Sequence, residues 1–378
     1  MSSGERLVEL SGLFLKLGVI GFGGPAAHIA MLEDEVVQRR RWLSREHFLD
    51  LVGATNLIPG PNSTEMTMHV GFLRAGWPGL IVAGASFILP AVLLTGLLAW
   101  FYVRFGALPQ VEPFLFGVKP AVLAIILTAV WRLGRAAARN ARLLVIGGAV
   151  GLGVLLGLNE VLALLLGGVI GMLWLRQSAA LLGLLAPGLG LSWPGGLLAA
   201  ANEVSLWQLG GFFLLIGSVL YGSGYVLIAF LEGGLVQRFG WLTQQQLLDA
   251  IAIGQFTPGP VLSTATFIGY ILAGWPGAIV STIGIFLPSF LFVAALNPWI
   301  PRLRRSPWTG AFLDAVNISA VGLMAAVLIK LALVTLASWQ AALIALVAGG
   351  AALRWRLNAG WLVLGGALAG WLLLLIRP

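Results

Sequence analysis

The stretch NLIPGPNSTEM, residues 56–66, contains a Pro-Gly-Pro segment inside a chain that is otherwise strongly apolar. Two prolines around a glycine interrupt a helix, and within a lipid bilayer such a break leaves backbone N–H and C=O groups without partners. Irregular backbone survives at membrane depth only where protein buries it or where it lines a water-filled cavity. The same break recurs in QFTPGPVLSTATF, residues 255–267, which indicates a role in the fold rather than an accident.

The composition is typical of a membrane protein. Of the 378 residues, 59% are hydrophobic and 10% are charged, whereas soluble domains carry about 25% charged residues. The mean hydropathy is +0.97, and long apolar runs such as 79–100 and 361–376 alternate with short charged loops. The pattern predicts an all-α polytopic protein embedded in the lipid bilayer.

Charge and cysteine content exclude several classes of function. The formal net charge is +8, but the basic residues lie in the loops between the apolar runs, where they set the orientation in the membrane. We therefore expect no nucleic-acid partner. The chain has no cysteine, which excludes disulfides, thiolate metal sites and thiol nucleophiles.

An internal repeat with an offset of 198 or 199 residues covers nearly the whole chain. LEDEVVQRRRWLSREHFLD at 32–50 matches LEGGLVQRFGWLTQQQLLD at 231–249, and GFLRAGWPG at 71–79 matches GYILAGWPG at 269–277. Repeats of this size are typical of secondary transporters. The predicted organisation is an N-terminal transporter repeat, a linker and a C-terminal transporter repeat, at 1–176, 177–208 and 209–378.

The distribution of arginines predicts that the two repeats have opposite orientations. The segment 132–142 contains four arginines, whereas its counterpart 330–340 contains one lysine. The bare turn at 157–160 corresponds to the RWR stretch at 354–356. Since Lys and Arg collect in cytoplasmic loops, the members of each pair are expected on opposite faces of the membrane.

The predicted fold has two inverted-topology repeats, each with broken or re-entrant helices, and about 10–12 membrane segments. We count five crossings per repeat, beginning with a crossing at 7–31, together with a re-entrant segment at 50–73. The positive-inside rule places the loop 32–49 in the cytoplasm. The protein is expected in the inner (plasma) membrane of the cell.

Each repeat contains two backbone breaks, which are predicted to form the binding site. The first is GFGGP at 21–25, matched by YGSGY at 221–225, and the second is the Pro-Gly-Pro segment. A helix that begins at such a break directs free N–H groups and the positive end of its dipole toward the break. Opposed helix N-termini around a pseudo-twofold axis suit an anion. The alternative is that the breaks only kink continuous helices.

The residues around these breaks resemble a known family. GFGGPAAHIA at 21–30, RRRWLSREHF at 39–48 and PGPNSTEM at 59–66, together with the GWPG and FILP motifs, are similar to the chromate ion transporter family in its long, two-domain form. The resemblance covers essentially the whole chain. It implies a carrier that exports chromate, a tetrahedral dianion similar to sulfate. The second repeat has Leu227 in place of His28 and Ile268 in place of His69, so unequal contributions to binding are expected.

The candidate substrate-binding residues come from the breaks and from one lysine within a membrane segment. Lys119 is expected to face the anion or to form a salt bridge with Glu65. Glu65 is either a proton carrier or a cap for backbone N–H groups, and His28 either donates to an oxyanion or packs against a helix end. The full set is Gly23, Gly24, His28, Asn56, Pro59, Gly60, Pro61, Ser63, Thr64, Glu65, Lys119, Gln255, Pro258, Gly259, Pro260, Ser263 and Thr264.

Two other functions stay open. A carrier or channel for another anion such as sulfate fits the same architecture, because no motif reports the size of the anion. An intramembrane enzyme is disfavoured, since the chain has three histidines and no HExxH or GxxxxGK[ST] motif. We therefore expect no enzymatic activity, no cofactor and no metal site. A coupling ion and a second copy of the chain in a homodimer are the further partners considered.

Overall fold

The computed structural model describes residues 2–176 apart from 107, 109 and 110, residues 204–296, and residues 306–375 apart from 356. In these ranges the chain forms fourteen α-helices joined by short turns, with no β-strand. The first repeat contains α1 (Ser3–Ile20), α2 (Pro25–Glu33), α3 (Arg45–Thr55), α4 (Asn62–Phe105), α5 (Glu112–Ala137), α6 (Ala141–Leu155) and α7 (Glu160–Leu175). The second contains α8 (Leu206–Val219), α9 (Leu227–Leu231), α10 (Gln244–Phe256), α11 (Thr264–Leu296), α12 (Pro307–Thr335), α13 (Trp339–Trp355) and α14 (Ala359–Leu375).

Several of these helices can cross a membrane. Among the described residues, four helical segments are long and apolar enough by length and composition, with mean hydropathies of 2.0 to 2.3. They are Asn62–Phe105, Glu112–Ala137, Val261–Ala295 and Pro307–Thr335. Shorter apolar helices, among them α6, α7 and α8, accompany them. The prediction of an all-α polytopic membrane protein is confirmed.

Helices α4 and α11 are each folded into a hairpin. Ala75 and Gly76 leave the helical conformation, with Gly76 at φ 64°, which glycine adopts without steric cost. Gly71 and Gly79 lie so close together that a Cβ atom on Gly71 would overlap the carbonyl of Gly79. In a continuous helix these two residues would be about 12 Å apart. A short arm therefore folds back along a long arm. The short arms are 62–74 and 264–272, and the long arms are 77–105 and 275–296.

The first apolar segment enters the bundle and returns. After α1 the chain reverses at residues 21–24, and α2 runs back beside α1. The Arg40 guanidinium lies 3.0 Å from the Glu9 carboxylate, and Arg74, at the end of the short arm of α4, lies 2.9 Å from the same carboxylate. The predicted crossing at 7–31 is wrong, because the glycine-rich turn reverses the chain.

The segment 50–73 also enters and returns, since α3 begins near Arg40 and Arg74 lies beside the same Glu9 carboxylate. The re-entrant segment predicted at 50–73 is thus confirmed.

The second repeat is built in the same way from the other end of the bundle. Tyr102, near the far end of the long arm of α4, donates a hydrogen bond of 2.8 Å to Asp249. Asp249 lies in the first half of α10, so α10 begins where that long arm finishes, whereas α3 begins close to Arg40. The equivalent helices α3 and α10 therefore point in opposite directions. The prediction of inverted repeats is confirmed.

Contacts between helix termini define the two ends of the bundle. The Arg176 guanidinium lies 5.4 Å from the ring of Trp308, at the start of α12, and Glu160 at the start of α7 touches Gly233. We call the end that holds Arg40, Arg74, Arg139 and Arg176 the arginine-rich end, and the end that holds Tyr102, Glu160, Asp249 and Lys330 the opposite end.

Among the described residues, four helical segments of each repeat run between the two ends of the bundle, rather than the five predicted: the long arm of the hairpin and the three helices that follow it. Helix α7 runs from Glu160 at the opposite end to Arg176 at the arginine-rich end. Helix α8 begins again at the opposite end, where the ring of Phe212 lies 6.1 Å from that of Phe239. The described chain on either side of the predicted linker thus lies at opposite ends of the bundle. Residues 177–203, most of that linker, lie outside the described ranges.

The two repeats exchange helices and form one bundle. Helix α5 of the first repeat packs against α13 and α14 of the second, and α12 of the second packs against α6 and α7 of the first. Small residues allow the close approach, since a Cβ atom on Gly117 of α5 would overlap the carbonyl of Gly366 of α14. The exchange brings the breaks of one repeat beside helices of the other.

The first repeat is fastened at the arginine-rich end by ion pairs. The Glu35 carboxylate lies 2.7 Å from the Lys16 ammonium and 3.3 Å from the Arg40 guanidinium. The hydrogen bond from Lys16 lowers the pKa of Glu35, although partial burial opposes the shift. In the second repeat the ring of Phe239, which replaces Arg40, stacks at 4.6 Å on that of Trp241. The two repeats therefore use different interactions to hold equivalent turns.

Candidate functional site

The breaks of the two repeats meet near the middle of the bundle through two equivalent hydrogen bonds. The Gly60 N–H donates to the Leu220 carbonyl at 2.7 Å, and the Gly259 N–H donates to the Gly21 carbonyl at 2.8 Å. Gly60 and Gly259 are repeat equivalents, as are Gly21 and Leu220. Each Pro-Gly-Pro segment is thus paired with the first break of the other repeat, which satisfies backbone groups that the bilayer would leave unpaired.

A cavity of about 710 Å³ lies beside one of these contacts, in the half of the bundle toward the arginine-rich end. Its wall combines the first break of the first repeat, the second break of the second repeat, α5, and the turn between α13 and α14. The residues that bring polar groups or broken backbone to this wall are Gly23, Gly24, Thr128, Arg132, Arg135, Tyr225, Gln255, Thr257, Gly259 and Asn358.

The charge of this cavity comes from two arginines on one side of α5. Arg132 and Arg135 are both solvent-accessible, and Arg135 stacks on the ring of Trp131 at 5.8 Å. Within the described part of the chain, neither arginine has a carboxylate at salt-bridge distance, and no acidic residue lines the cavity. Arginine presents several N–H donors in a planar fork, so two of them suit an oxyanion with two negative charges.

Neutral donors at the cavity wall add to this charge. Gln255 is 7% exposed, and its Nε2 has no hydrogen-bond partner among the described residues. Helix α2 begins at Pro25 without a side-chain cap, and the two glycines before it line the cavity. A buried donor without a partner is costly, and an uncapped helix N-terminus attracts anions. Both features favour a bound oxygen acceptor.

The structure buries His28 and Ser63 away from this cavity. One nitrogen of the His28 ring lies 2.9 Å from the Gly21 carbonyl, and the other lies 3.2 Å from the Ser63 hydroxyl. His28 is 5% exposed and Ser63 is 2% exposed. The imidazole thereby ties the two breaks of the first repeat together.

The hydroxyl groups of the second repeat also face the protein interior. Ser263 accepts a hydrogen bond of 3.2 Å from Thr95, and Thr264 donates to the carbonyl of Val261 at 2.8 Å. Thr64 of the first repeat is fully buried. These side chains support the backbone around the breaks and do not line the large cavity.

Asn56 and Gln255 occupy equivalent positions but lie in different cavities. The Asn56 amide donates to the carbonyl of Val52 at 3.1 Å and accepts from Asn62 at 2.6 Å. Asn56 lines a smaller cavity of about 190 Å³ that also contains Asp314. The acidic neighbour makes this cavity the poorer anion site.

Glu65 and Lys119 lie in different parts of the bundle. Glu65 is fully buried behind Gly60, next to the Ser289 hydroxyl. Lys119 lines a separate cavity of about 510 Å³ at the opposite end, which Asp249 and Glu112 also line, and it interacts electrostatically with Asp249. The described residues show no salt bridge between Lys119 and Glu65, so that alternative is wrong.

Comparison with known proteins identifies the family. The model of the family described as chromate transporter matches the chain twice, over residues 8–172 and 207–371. This chain belongs to the chromate transporter family. The chromate transport protein of Cupriavidus metallidurans is 32% identical, with 96% of this chain and 92% of that protein aligned. The chromate transport protein of Pseudomonas aeruginosa is 34% identical with the same coverage. No solved structure is a significant match.

The two arginines of this cavity are absent from the predicted binding residues, because the segment 132–142 was interpreted as a cytoplasmic loop. Arg132 and Arg135 instead lie within the last turns of α5. Tyr225 and Asn358 were missed as well, since they reach the cavity only through the exchange of helices between repeats. One signal was available: Arg132 is the repeat equivalent of Lys330, so both repeats place a cation at this position.

Proposed function

We propose that this chain transports chromate and loads it from the cytoplasm through the cavity at the arginine-rich end. The observation that carries the proposal is the pair Arg132 and Arg135, which face the cavity with no carboxylate of the described residues at salt-bridge distance. Two relatives aligned over nearly their whole length are named chromate transport proteins. Membership of a transporter family supports a carrier rather than an enzyme.

The donors around the cavity fit the chemistry of a tetrahedral dianion. Chromate presents four oxygen acceptors and two negative charges, which match two guanidinium groups and several neutral donors. Among the predicted binding residues, Gly23, Gly24, Gln255 and Gly259 line the cavity, and we propose that they surround the anion. The cavity is larger than the anion, so water completes the coordination.

The remaining predicted residues have a supporting role in this proposal. They hold the broken backbone in place or lie at the opposite end. They are His28, Asn56, Pro59, Gly60, Pro61, Ser63, Thr64, Glu65, Lys119, Pro258, Pro260, Ser263 and Thr264.

The direction of transport is proposed from charge. Loops rich in arginine lie on the cytoplasmic side of bacterial membranes, which puts the cavity in contact with the cytoplasm. We therefore propose efflux across the inner membrane. Sulfate is a second candidate substrate, because every donor at the cavity wall addresses oxygen atoms and none distinguishes the central atom of the anion.

The test is flux of radiolabelled chromate in proteoliposomes, with unlabelled sulfate as competitor. The double variant Arg132→Met, Arg135→Met should lose at least about 90% of the flux, because each lost charge-assisted hydrogen bond is worth roughly 1.5–3 kcal/mol. Arg142→Met is the matched control, since Arg142 is exposed at the same end and does not line the cavity. Equal flux in the double variant and the control would contradict the proposed site. No chromate flux in the wild type would contradict the proposed substrate.

A further inference from the structure

The inverted repeat places a second cation where the opposite end would form its own version of the cavity. Lys330 on α12 occupies the position equivalent to Arg132 on α5. In a carrier built from inverted repeats, each end opens by adopting the conformation that the other end has just left. By this symmetry Lys330 has, at the opposite end, the place that Arg132 has at the arginine-rich end.

In the present conformation Lys330 faces a buried carboxylate. The Lys330 ammonium lies 3.7 Å from Oε2 of Glu232, which is completely buried. Oε1 of Glu232 accepts a hydrogen bond of 2.7 Å from Gln237, whereas Oε2 has no hydrogen-bond partner among the described residues. Gln237 therefore holds Oε1 of the carboxylate, while Oε2 points toward the Lys330 ammonium.

A second carboxylate lies beside this pair. Glu160, at the start of α7, is 8% exposed and interacts with Glu232, Lys330 and Arg238. Position 233 must be glycine for this arrangement, because a Cβ atom there would overlap the Glu160 carboxyl group. Two buried carboxylates thus compete for the same lysine.

The equivalent positions at the arginine-rich end carry no such competition. Glu160 corresponds to Ala359, which lines the large cavity without a charge. Glu232 corresponds to Glu33, whose carboxylate lies 3.3 Å from Arg45 and not beside Arg132. Arg132 thus has a cationic equivalent in Lys330, whereas Arg135 corresponds to Leu333. Neither of the two carboxylates beside Lys330 has a counterpart beside Arg132.

We infer that Lys330 is a second oxyanion-binding residue and that Glu232 and Glu160 are internal anions that displace the substrate from it at the opposite end. The inference rests on the proposed function. Like charges close together in a protein repel strongly, so an oxyanion at Lys330 is destabilised by the two carboxylates. The same anion at Arg132 meets no such repulsion. Affinity is thus high where the substrate loads and low where it leaves.

The test compares anion affinity at the two ends of the carrier. Because the chain has no cysteine, a single cysteine at Ala137 and an impermeant maleimide report which end faces the bath. Chromate flux is then measured from the arginine-rich end while unlabelled sulfate is added at the opposite end. Glu232→Gln should lower the half-inhibitory sulfate concentration at the opposite end about tenfold or more, with the KM at the arginine-rich end unchanged within about twofold.

Two further variants complete the test. Lys330→Met should remove inhibition by sulfate at the opposite end, and this result decides the matter if Glu232→Gln does not purify. Glu33→Gln, the repeat equivalent, should leave that inhibition at the wild-type concentration. Wild-type inhibition in both Glu232→Gln and Lys330→Met, with chromate flux intact, would overturn the inference and leave the proposed function standing. Absence of wild-type chromate flux would instead contradict the proposed function, and with it the inference.

Discussion

Placing a carboxylate in the cavity at the arginine-rich end should convert a loading site into a releasing one. Ala359 lines that cavity and begins α14 directly after Asn358. Glu160 is the equivalent of Ala359 in the first repeat, where it also follows an asparagine, Asn159, at the start of a helix. A glutamate is therefore structurally tolerated at this position of the repeat. An acidic residue in the first turn also favours the helix. Ala359→Glu should therefore fold.

The size of the effect follows from the dimensions of the cavity. If the cavity is approximated by a sphere of 710 Å³, its radius is about 5.5 Å, and we take this radius as the separation between a central anion and a charge on the wall. A dianion and a carboxylate at this distance repel by about 1.5 kcal/mol in a medium as polar as water, and by about 6 kcal/mol at an effective dielectric constant of 20. The smaller figure alone raises the KM about tenfold.

The assay is the initial rate of chromate flux from the arginine-rich end as a function of concentration. Ala359→Gln is the control, because glutamine has the same size as glutamate and no charge. We expect the KM of Ala359→Glu to exceed that of Ala359→Gln at least about tenfold, with a smaller ratio at high salt, where charges are screened. Equal KM values in the two variants would refute the assignment of the anion to this cavity.

Replacing residues 59–61 or 258–260 with alanine should leave a carrier that inserts and purifies but moves chromate at about a tenth of the wild-type rate or less, because the backbone N–H groups become internal to a helix. Thermal melting and flux measured side by side check this, and normal flux in both variants would show that the breaks are only kinks. Single cysteines at Ala137 and Ser338 should react with an impermeant maleimide from opposite sides, and labelling from one side would contradict the inverted topology. Because the pKa of Glu35 is lowered from its ordinary value of 4.5, its ion pairs should stabilise the fold above that pH and be lost as the pH falls through the lowered pKa. The pH dependence of the melting temperature should accordingly be flatter in Glu35→Gln, and identical profiles would contradict this role.

The breaks and the repeat could be predicted because their signals are local. Proline and glycine restrict or free the backbone at their own positions, so residues 59–61 and 258–260 predict interruptions of a helix independently of their tertiary contacts. The second copy of the motifs predicted a two-fold repeat, and the distribution of arginines in the loops predicted that the two repeats have opposite orientations. The two equivalent hydrogen bonds of Gly60 and Gly259 are the structural counterpart of that symmetry.

The path of the first segment could not be predicted in the same way. Hydropathy shows that residues 7–31 lie in the membrane, but it does not show in which direction α2 leaves the turn at 21–24. The chain reverses at residues 21–24, where Gly23 and Gly24 have positive φ angles. The ion pairs of Glu9 with Arg40 and Arg74 then hold the returning chain at the arginine-rich end. The prediction obtained the inversion from an odd number of crossings per repeat and therefore counted 7–31 as one of them. In the structure α7 ends at the arginine-rich end and α8 begins at the opposite end, so the repeats are inverted without that crossing.

The composition of the site depended on packing between repeats. Arg132 and Arg135 follow an apolar run, and their charge is equally typical of a loop that fixes membrane orientation. They face a cavity only because α5 packs against α13 and α14, which brings Asn358 beside the break of the first repeat. Such exchange leaves no periodic signal in the sequence.

The position of the bound ion decides whether the substrate occupies the cavity of Arg132 and Arg135. Chromium scatters X-rays anomalously, so crystals grown with chromate locate the anion without reference to its coordination. We expect an anomalous peak in the cavity at the arginine-rich end, between Arg132, Arg135 and Gln255, that sulfate in excess displaces. A peak confined to the cavity of Lys119 and Asp249, with none beside the two arginines, would contradict it.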